Sequence, residues 1–281
     1  MKSPTKVGTL KLVFRCGYRV NTQTIILLHG FPFNRSMWSE QFGFLTARGY
    51  RVLAPDLRGL GANVAQTSVF ETSTPNHRLK SVPPATMDDM ARDVASMMEA
   101  ANVHEAIICG LSMGCYVAFE FVQLFPARVQ ALILCGPRAQ GPDAAEKQSR
   151  ETQAQRALNE GMDFAVESIT TKLLARQTVD QKPQVVARVR EMVLETDPRG
   201  AAAAQLGMAA RRDYSADLAR ISVPTLVIAG HEDGVRTPRD AEFIQEGISQ
   251  SELLVIRDAG HLMNMEQPDI FNDAIDRFLR D

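Results

Sequence analysis

The stretch EAIICGLSMG (residues 105–114) places a run of apolar residues directly before a Gly-x-Ser-x-Gly motif. The apolar run is typical of a short buried strand, and the residues after the serine favour a helix. Gly110 and Gly114 lie where such a strand and helix approach too closely for a side chain. Ser112 would then sit on a tight turn with its hydroxyl pointing out of the fold. We therefore predict a nucleophile at Ser112.

Apolar runs of strand length alternate with amphipathic segments along most of the 281-residue chain. This alternation predicts an α/β fold, with a mostly parallel twisted sheet flanked by helices. The predicted strands are 9–14, 24–28, 51–54, 106–109, 131–135, 225–229 and 253–256. The predicted helices of this alternating part are 36–47, 86–101, 113–125, 238–247 and 268–279.

Residues 138–216 interrupt the alternation, because they contain no convincing strand. They fit four short amphipathic helices, predicted at 144–159, 162–175, 183–195 and 201–211. An all-helical insertion just past a candidate active site is typical of a cap over that site. We therefore predict a core domain in two parts, 1–137 and 217–281, with a helical cap at 138–216. Residues 62–85, rich in Ser, Thr, Asn and Pro, are predicted to form a long surface loop.

Composition and charge argue against several classes of partner. A net charge of -2 and a pI near 6.2 give no reason to expect nucleic acid or an anionic membrane. The longest apolar runs fall short of the ~20 residues that a membrane helix needs, and no secretory signal is visible. The four cysteines lack metal-like spacing and are interpreted as reduced core thiols of a cytoplasmic protein. An oligomer is compatible with the sequence but unsupported by it.

A serine nucleophile needs a general base, and the base needs an acid that fixes its tautomer. Among the five histidines, His261 follows the last predicted strand, at the edge where parallel sheets place their chemistry. Asp233 follows the preceding strand, and the adjacent Glu232 competes with it for the role of acid. The order of serine, acid and base along the chain favours Ser112, Asp233 and His261 as the catalytic residues.

An oxyanion hole needs two backbone donors, and the loop HGFP (residues 29–32) after the strand at 24–28 supplies one. Gly30 allows a sharp turn, the amide of Phe31 can point back at the nucleophile, and Pro32 has no amide to offer. The amide of Met113, at the start of the helix, would be the second donor. Loss of one such donor typically costs about 2.7–4 kcal/mol of barrier.

Together with DLRGLG (residues 56–61), these motifs make the chain resemble the α/β-hydrolase superfamily along nearly all its length. The segments LHGFP and GLSMG and the helical cap are most similar to small carboxylesterases, enol-lactonases and related methyl-ester hydrolases. The resemblance implies a Ser112–His261–Asp233 triad with Phe31 and Met113 as oxyanion donors. The chain departs from such relatives at position 115, where a second glycine is common, and in its longer 62–85 loop.

The expected reaction is hydrolysis of a small carboxylic ester or lactone through an acyl-enzyme on Ser112, with no metal or organic cofactor. Three alternatives stay open. The same triad serves cofactor-free perhydrolases, haloperoxidases and carbon–carbon bond hydrolases. A small-molecule receptor can also retain the fold. An interfacial lipase is disfavoured by the 6% aromatic content and the lack of a secretion signal.

Four residues near these motifs are candidates for a substrate pocket: Phe33, Trp38, Arg138 and Met263. Arg138 begins the cap directly after a strand, which would let it face a substrate. For the three apolar candidates, packing in the core is an equally good interpretation. His29 is interpreted as a structural hydrogen-bonding residue, and Cys115 as a packed thiol rather than a second nucleophile.

Overall fold

The computed structural model of this protein describes residues 23–63 and 82–280. Its centre is a six-stranded parallel sheet with the strand order β2–β1–β3–β4–β5–β6, which confirms the predicted α/β-hydrolase architecture. The strands are β1 (Thr24–Leu28), β2 (Arg51–Leu53), β3 (Ala106–Leu111), β4 (Val129–Cys135), β5 (Thr225–Gly230) and β6 (Ser251–Ile256). The predicted strand at 9–14, and most of the predicted 62–85 loop, lie outside the described residues.

Helices cover the sheet on both faces. Those that alternate with the strands are α1 (Ser39–Ala47), α2 (Met87–Ala100), α3 (Met113–Leu124), α9 (Pro238–Gly247), α10 (Met263–Glu266) and α11 (Pro268–Phe278). Those between β4 and β5 are α4 (Ala144–Glu160), α5 (Asp163–Leu173), α6 (Arg176–Gln181), α7 (Pro183–Leu194) and α8 (Pro198–Ala209). Each predicted helix and strand on described residues lies close to its predicted position, except that residues 35–38 form a 3-10 turn before α1. The short helix α10 was not predicted.

The interval between β4 and β5 holds five helices, where four were predicted. The predicted helix at 162–175 ends at Leu173, because Leu174 is in an extended conformation. A short additional helix, α6, begins at Arg176. Neither glycine nor proline marks this break, so the sequence carried no local signal for it.

Strand β1 shows how the core is divided by the sheet. All five of its residues are buried, and their side chains alternate between the two faces. Ile26 and Leu28 pack in the core beneath α2 and α3, whereas Ile25 and Leu27 pack in the core that includes α1 and α11. Burial on both faces is why the strand is a continuous apolar run rather than an alternating one.

Helix α8 packs against the rest of the protein through glycine and alanine. A β-carbon added at Gly200 would lie 1.6 Å from the carbonyl oxygen of Gly59. One added at Gly207 would lie 1.8 Å from the carbonyl oxygen of Ala85, whose amide donates to the Ala203 carbonyl at 3.0 Å. The close backbone contact holds the last α-helix of the 138–216 insertion against the backbone at Gly59 and Ala85.

Because all six strands are parallel, the loops at their carboxyl ends meet at one edge of the sheet. The loop after β1 carries Phe31, and Ser112 follows β3 directly. Asp233 lies in the loop after β5, and His261 lies in the loop after β6. The predicted site residues are therefore brought to a common edge from distant parts of the chain.

Candidate active site

The turn between β3 and α3 holds Ser112 in a strained conformation, with φ 55° and ψ -108°. A β-carbon at Gly110 would lie 2.4 Å from the Gly114 carbonyl oxygen, and one at Gly114 would lie 2.2 Å from the Leu28 carbonyl oxygen. Only glycine fits at these two positions. The Ser112 side chain makes no capping hydrogen bond to α3, so an ordinary N-cap role does not explain it. Strain of this kind is characteristic of a residue held for function.

Asp233 and His261 form a buried pair beside this turn. His261 Nδ1 lies 2.6 Å from Asp233 Oδ2, and the two residues are 2% and 5% exposed, respectively. Asp233 Oδ1 accepts the amides of Val235 and Arg236, each at 2.8 Å, which fixes the carboxylate. The carboxylate accepts the Nδ1 proton of neutral His261, so Nε2 is left as a free acceptor. This is the tautomer that a general base requires.

Glu232, the competing acid, points elsewhere. It is exposed, and its Oε2 accepts the amide of Arg176 at 3.3 Å. The adjacent His231 is exposed as well. The structure therefore places Asp233, and not Glu232, against His261.

Gly136, which follows β4 directly, gives the His261 ring its space. Its φ is 54°, and a β-carbon there would lie 3.0 Å from His261 Nδ1 and 3.4 Å from Asp233 Oδ2. Any side chain would press on the pair and would strain the backbone. Gly136 was not among the predicted site residues, although a glycine at the carboxyl end of a predicted strand was an available signal.

Glu266 anchors the loop that carries His261. Its Oε1 accepts the Gly260 amide at 2.9 Å, and its Oε2 accepts the Ala175 amide at 2.7 Å. The His261 amide itself donates to the Leu173 carbonyl at 2.7 Å. Burial raises the pKa of the fully buried Glu266, while the backbone donors oppose that shift. One carboxyl group thus ties the loop that carries His261 to the link between α5 and α6. No local feature of the sequence predicted this role.

The loop after β1 lies against the β3–α3 turn that carries Ser112. The Phe33 amide donates to the Gly30 carbonyl at 3.0 Å, which closes a turn around Phe31 and Pro32. Within the described parts of the chain, the Phe31 amide has no hydrogen-bond partner. The Met113 amide, at the first position of α3, likewise has no acceptor inside its helix. Both predicted oxyanion donors are therefore free to bind a ligand.

His29 and Cys115 occupy structural positions next to this loop and turn. His29 is fully buried, its Nε2 accepts the Leu57 amide at 2.8 Å, and burial lowers its pKa, so the ring stays neutral. Cys115 is also fully buried, and its thiol donates to the Gly110 carbonyl at 3.0 Å. Burial raises the pKa of this thiol far above its usual range, which removes it as a second nucleophile.

A cavity of about 570 Å³ opens above these residues. Ser112, His261 and Phe31 lie in its wall, and residues of α4, α5 and α8 line much of the remainder. The apolar part of the lining comes largely from the 138–216 insertion: Ala145, Ala157, Met162, Phe164, Ala165, Ile169, Leu173, Ala201 and Met208. None of these residues was predicted to line the pocket. The sequence shows that the helices are amphipathic, but it does not show which side of each helix faces the cavity.

Of the four predicted pocket residues, only Arg138 lines the cavity. Phe33, Trp38 and Met263 are 1%, 0% and 0% exposed and lie in the core cluster that includes α1 and α11. The Trp38 ring, for example, packs 6.1 Å from the Phe271 ring. These three residues are close to catalytic motifs along the chain, but their side chains point away from the cavity into the core.

Glu146 lies in the cavity wall among several arginines. Its Oε1 accepts from Arg150 at 2.8 Å and from Arg211 at 3.0 Å. Burial opposes ionisation of this carboxyl group. The hydrogen bonds from Arg211 and Arg150 outweigh that effect and lower the pKa of Glu146 to about 2. The carboxylate is therefore charged across the physiological pH range.

Replacement of Glu146 by glutamine is expected to lower the free energy of unfolding at pH 7 by about 2 kcal/mol, because charged hydrogen bonds are lost. In the folded protein the pKa of Glu146 lies below its usual value of 4.5. The stabilisation by its ionised carboxylate is therefore complete above pH ~4.5 and is lost as the pH falls towards 2. The difference in free energy of unfolding between wild type and Glu146→Gln should therefore shrink over that range, measured by urea denaturation at several pH values.

Glu160→Gln is the matched control for this measurement, because Glu160 lies on the same helix and bonds to Arg156 at 2.8 Å on the exposed surface. It should change stability little at any pH. A difference between wild type and Glu146→Gln that does not depend on pH would contradict the assigned titration.

Neither a metal-binding cluster nor a membrane-spanning helix is found in residues 23–63 and 82–280. No group of three or more histidine, cysteine, aspartate or glutamate side chains in these ranges is arranged to hold a metal ion. No helix in the same ranges has the length and hydropathy needed to cross a bilayer.

Comparisons with known proteins agree with this geometry. The family model for the alpha/beta hydrolase fold matches residues 23–268. The 3-oxoadipate enol-lactonase 2 of Acinetobacter baylyi is 29% identical over 247 residues, which cover 88% of this chain and 85% of the relative.

Two solved structures are similar along nearly the whole chain. A thermophilic esterase from Thermogutta terrifontis with malate bound has a TM-score of 0.83 and 38% identity, covering 92% of this chain and 89% of the esterase. The enol-lactonase from Burkholderia xenovorans LB400 has a TM-score of 0.79 and 26% identity, covering 93% and 92%. This protein thus belongs to the α/β-hydrolase superfamily, in its esterase and enol-lactonase branch.

Proposed function

We propose that the protein hydrolyses carboxylic esters or lactones of small molecules through an acyl-enzyme on Ser112. The observation that carries the proposal is the buried 2.6 Å contact between Asp233 and His261, in the wall of the same cavity as the strained Ser112. A fixed imidazole whose Nε2 is not used by Asp233, lining the same cavity as a half-buried serine, is an arrangement that suits acyl transfer.

In the first half of the reaction, His261 Nε2 takes the proton of the Ser112 hydroxyl as its oxygen attacks the carbonyl carbon. The Phe31 and Met113 amides donate to the oxyanion that forms. Asp233 stabilises the imidazolium. His261 then gives its proton to the departing alcohol oxygen, and the acyl group remains bound to Ser112 as an ester.

In the second half, His261 takes a proton from water, and the resulting hydroxide attacks the acyl-enzyme. The same two amides hold the second oxyanion. Its collapse releases the carboxylic acid and returns the proton to Ser112. For a lactone, the alcohol and the acid are parts of one product molecule.

The size of the cavity and the names of the relatives support small substrates. At about 570 Å³, the cavity is within the usual range for sites that enclose a small molecule. The similar proteins include an esterase and two enol-lactonases. Because α4, α5 and α8 line the cavity, we propose that residues 138–216 act as the cap that selects the substrate. The described cysteines 109, 115 and 135 are free thiols, which is in keeping with a cytoplasmic enzyme.

A fluorophosphonate reagent tests the proposal directly, because its phosphorus forms a bond to an activated serine oxygen as fluoride leaves. The wild type should take up one equivalent, and peptide mass spectrometry should place it on Ser112. The same labelled protein should lose its activity towards p-nitrophenyl acetate and a γ-lactone. Labelling of another serine, with ester hydrolysis intact, would contradict the proposal.

Labelling of Ser112 without hydrolysis of any ester or lactone would show that the serine is activated but that the proposed reaction is wrong. The triad would then be active, and the carbon–carbon bond hydrolase and perhydrolase alternatives would be assayed next. Absence of both labelling and turnover would instead favour a receptor that retains the fold.

A further inference from the structure

The loop after β1 is held from outside by helix α7 of the 138–216 insertion. The Thr196 hydroxyl, just past the end of α7, lies 2.6 Å from the Pro32 carbonyl oxygen. The Arg188 guanidinium donates to the Ser36 hydroxyl, in the 3-10 turn that follows the loop. The loop that carries the proposed oxyanion donor Phe31 therefore contacts the insertion at two points.

The Thr196 hydroxyl is buried between two carbonyl groups. The residue is 7% exposed, and its Oγ1 also lies 2.8 Å from the Met192 carbonyl oxygen, one turn earlier in α7. A hydroxyl has a single proton to donate, so the two carbonyls compete for it. The Pro32 carbonyl is the nearer of the two. The hydroxyl thus joins the end of α7 to the loop after β1.

The Pro32 carbonyl depends on this hydroxyl for its hydrogen bond. Pro32 is buried, and no backbone amide of residues 23–63 and 82–280 donates to its carbonyl. A buried carbonyl without a donor is unfavourable, so the loop would turn towards another partner if the hydroxyl were removed. The contact with Thr196 therefore sets the orientation of the peptide group that follows Pro32.

Pro32 and the Phe31 amide belong to one tight turn that lies against the nucleophile. The hydrogen bond from the Phe33 amide to the Gly30 carbonyl closes this turn, and a β-carbon added at Gly30 would lie 3.6 Å from the Ser112 β-carbon. Phe31, Pro32 and Ser112 line the same cavity. In so short a turn, a rotation at Pro32 also moves the Phe31 amide relative to Ser112. A displacement of about 1 Å in a catalytic geometry can cost about 100-fold in rate.

We propose that Thr196 is a positioning residue for the oxyanion hole: its hydroxyl holds the Pro32 carbonyl and thereby fixes the direction of the Phe31 amide. This inference rests on the proposed hydrolysis at Ser112. It gives the insertion a part in the chemical step, in addition to the proposed selection of the substrate. Oxyanion donors act mainly on the transition state, so a displaced donor lowers kcat and leaves KM nearly unchanged.

Two substitutions at Thr196 separate the hydroxyl from the packing of the side chain. Thr196→Val removes the hydroxyl and keeps the β-branched shape. It should lower kcat for p-nitrophenyl acetate about 10- to 100-fold, because the Phe31 amide is displaced, and should change KM less than about threefold. Thr196→Ser keeps the hydroxyl and should restore kcat to within about threefold of the wild type.

Thr170→Val is the matched control, because it makes the same change at another buried threonine of the insertion. Thr170 is 6% exposed, and its hydroxyl donates to carbonyls of its own helix, those of Val166 and Glu167, at 3.0 Å each. Its kcat and KM should stay near the wild-type values. An equal loss in Thr170→Val and Thr196→Val, a wild-type kcat in Thr196→Val, or a failure of Thr196→Ser to restore kcat would overturn the inference.

Hydrogen–deuterium exchange, followed by peptide mass spectrometry, reports on the loop without any catalysis. Peptides that cover residues 29–38 should exchange faster in Thr196→Val than in the wild type and in Thr196→Ser. Peptides from β3 and β4 should keep their protection in all three proteins, which would show that the fold is intact. A fall in kcat with unchanged exchange in the loop would also overturn the inference, because the hydroxyl would then act by another route.

The exchange measurement also separates this inference from the proposed hydrolysis. If the loop exchanges faster in Thr196→Val but the wild type cleaves no ester or lactone, the contact between Thr196 and the loop stands and the proposed hydrolysis fails. If the wild type and Thr196→Val cleave esters at the same rate, with the same exchange in the loop, hydrolysis stands and the positioning role of Thr196 fails.

Discussion

Ser112→Ala is expected to lower kcat for p-nitrophenyl acetate by about 10⁶-fold, the size of effect found when the nucleophile of a serine hydrolase is removed. The reason is that Ser112 supplies the attacking oxygen, and the thiol of Cys115, on the same turn, is fully buried and cannot replace it. The KM should change much less, because the walls of the cavity are untouched. Steady-state assays with purified protein, corrected for spontaneous hydrolysis, measure this loss.

Cys115→Ala is the control for that experiment, because it removes the other potential nucleophile of the same turn. The hydrogen bonds of the buried thiol go to the Gly110 and Cys135 backbone carbonyls, so the variant should keep most of its activity. Circular dichroism should show that both variants are folded. Equal kcat values for the wild type and Ser112→Ala would show that Ser112 is not the nucleophile.

Asp233→Asn is expected to lower kcat by about 10⁴-fold, with little change in stability. Its amide oxygen can still accept the Val235 and Arg236 amides that hold Asp233 Oδ1. The amide NH₂ would then face His261 Nδ1 and donate to it. The imidazole would carry its proton on Nε2, where it cannot accept the proton of Ser112.

Glu232→Gln is the matched control for Asp233→Asn, since the two acids are adjacent and the change in charge is the same. Glu232 is exposed and bonds to a backbone amide away from His261, so kcat should stay near the wild-type value. The pH profile of kcat/KM should keep its shape in this variant. A larger loss in Glu232→Gln than in Asp233→Asn would show that the acid is assigned to the wrong residue.

Local sequence was sufficient to predict the sheet and the edge at which the proposed reacting groups lie. Strand β1 is a fully apolar run because both faces of the sheet are covered, and such a run is recognisable without a structure. Gly110 is required by a contact with Gly114 inside the strand–turn–helix unit, whereas Gly114 is required by the Leu28 carbonyl of β1. The Gly-x-Ser-x-Gly spacing of both glycines is nevertheless visible in one short segment. Asp233 and His261 follow strands directly, so the direction of a parallel sheet was enough to bring them to one edge.

The pocket depended on packing over long distances, and the sequence misplaced part of it. Trp38 was a candidate because it lies near the HGFP loop, but its ring is buried against α11. The break that creates α6 has no glycine or proline, so the number of helices in the insertion was predicted one short. The role of Glu266 depends on a contact with Ala175, 91 positions away in the chain.

The sequence by itself determined the parallel sheet and the strand–turn–helix unit around Ser112, because these depend on burial and turn chemistry within short segments. Only the tertiary structure decided which acid faces His261, and which side chains surround the substrate. Glu146, Arg138, Arg211 and Arg236 come from four separate segments and form one charged cluster only when the insertion folds over the sheet. Charge in a cavity is a property of that assembly, and no segment carries it alone.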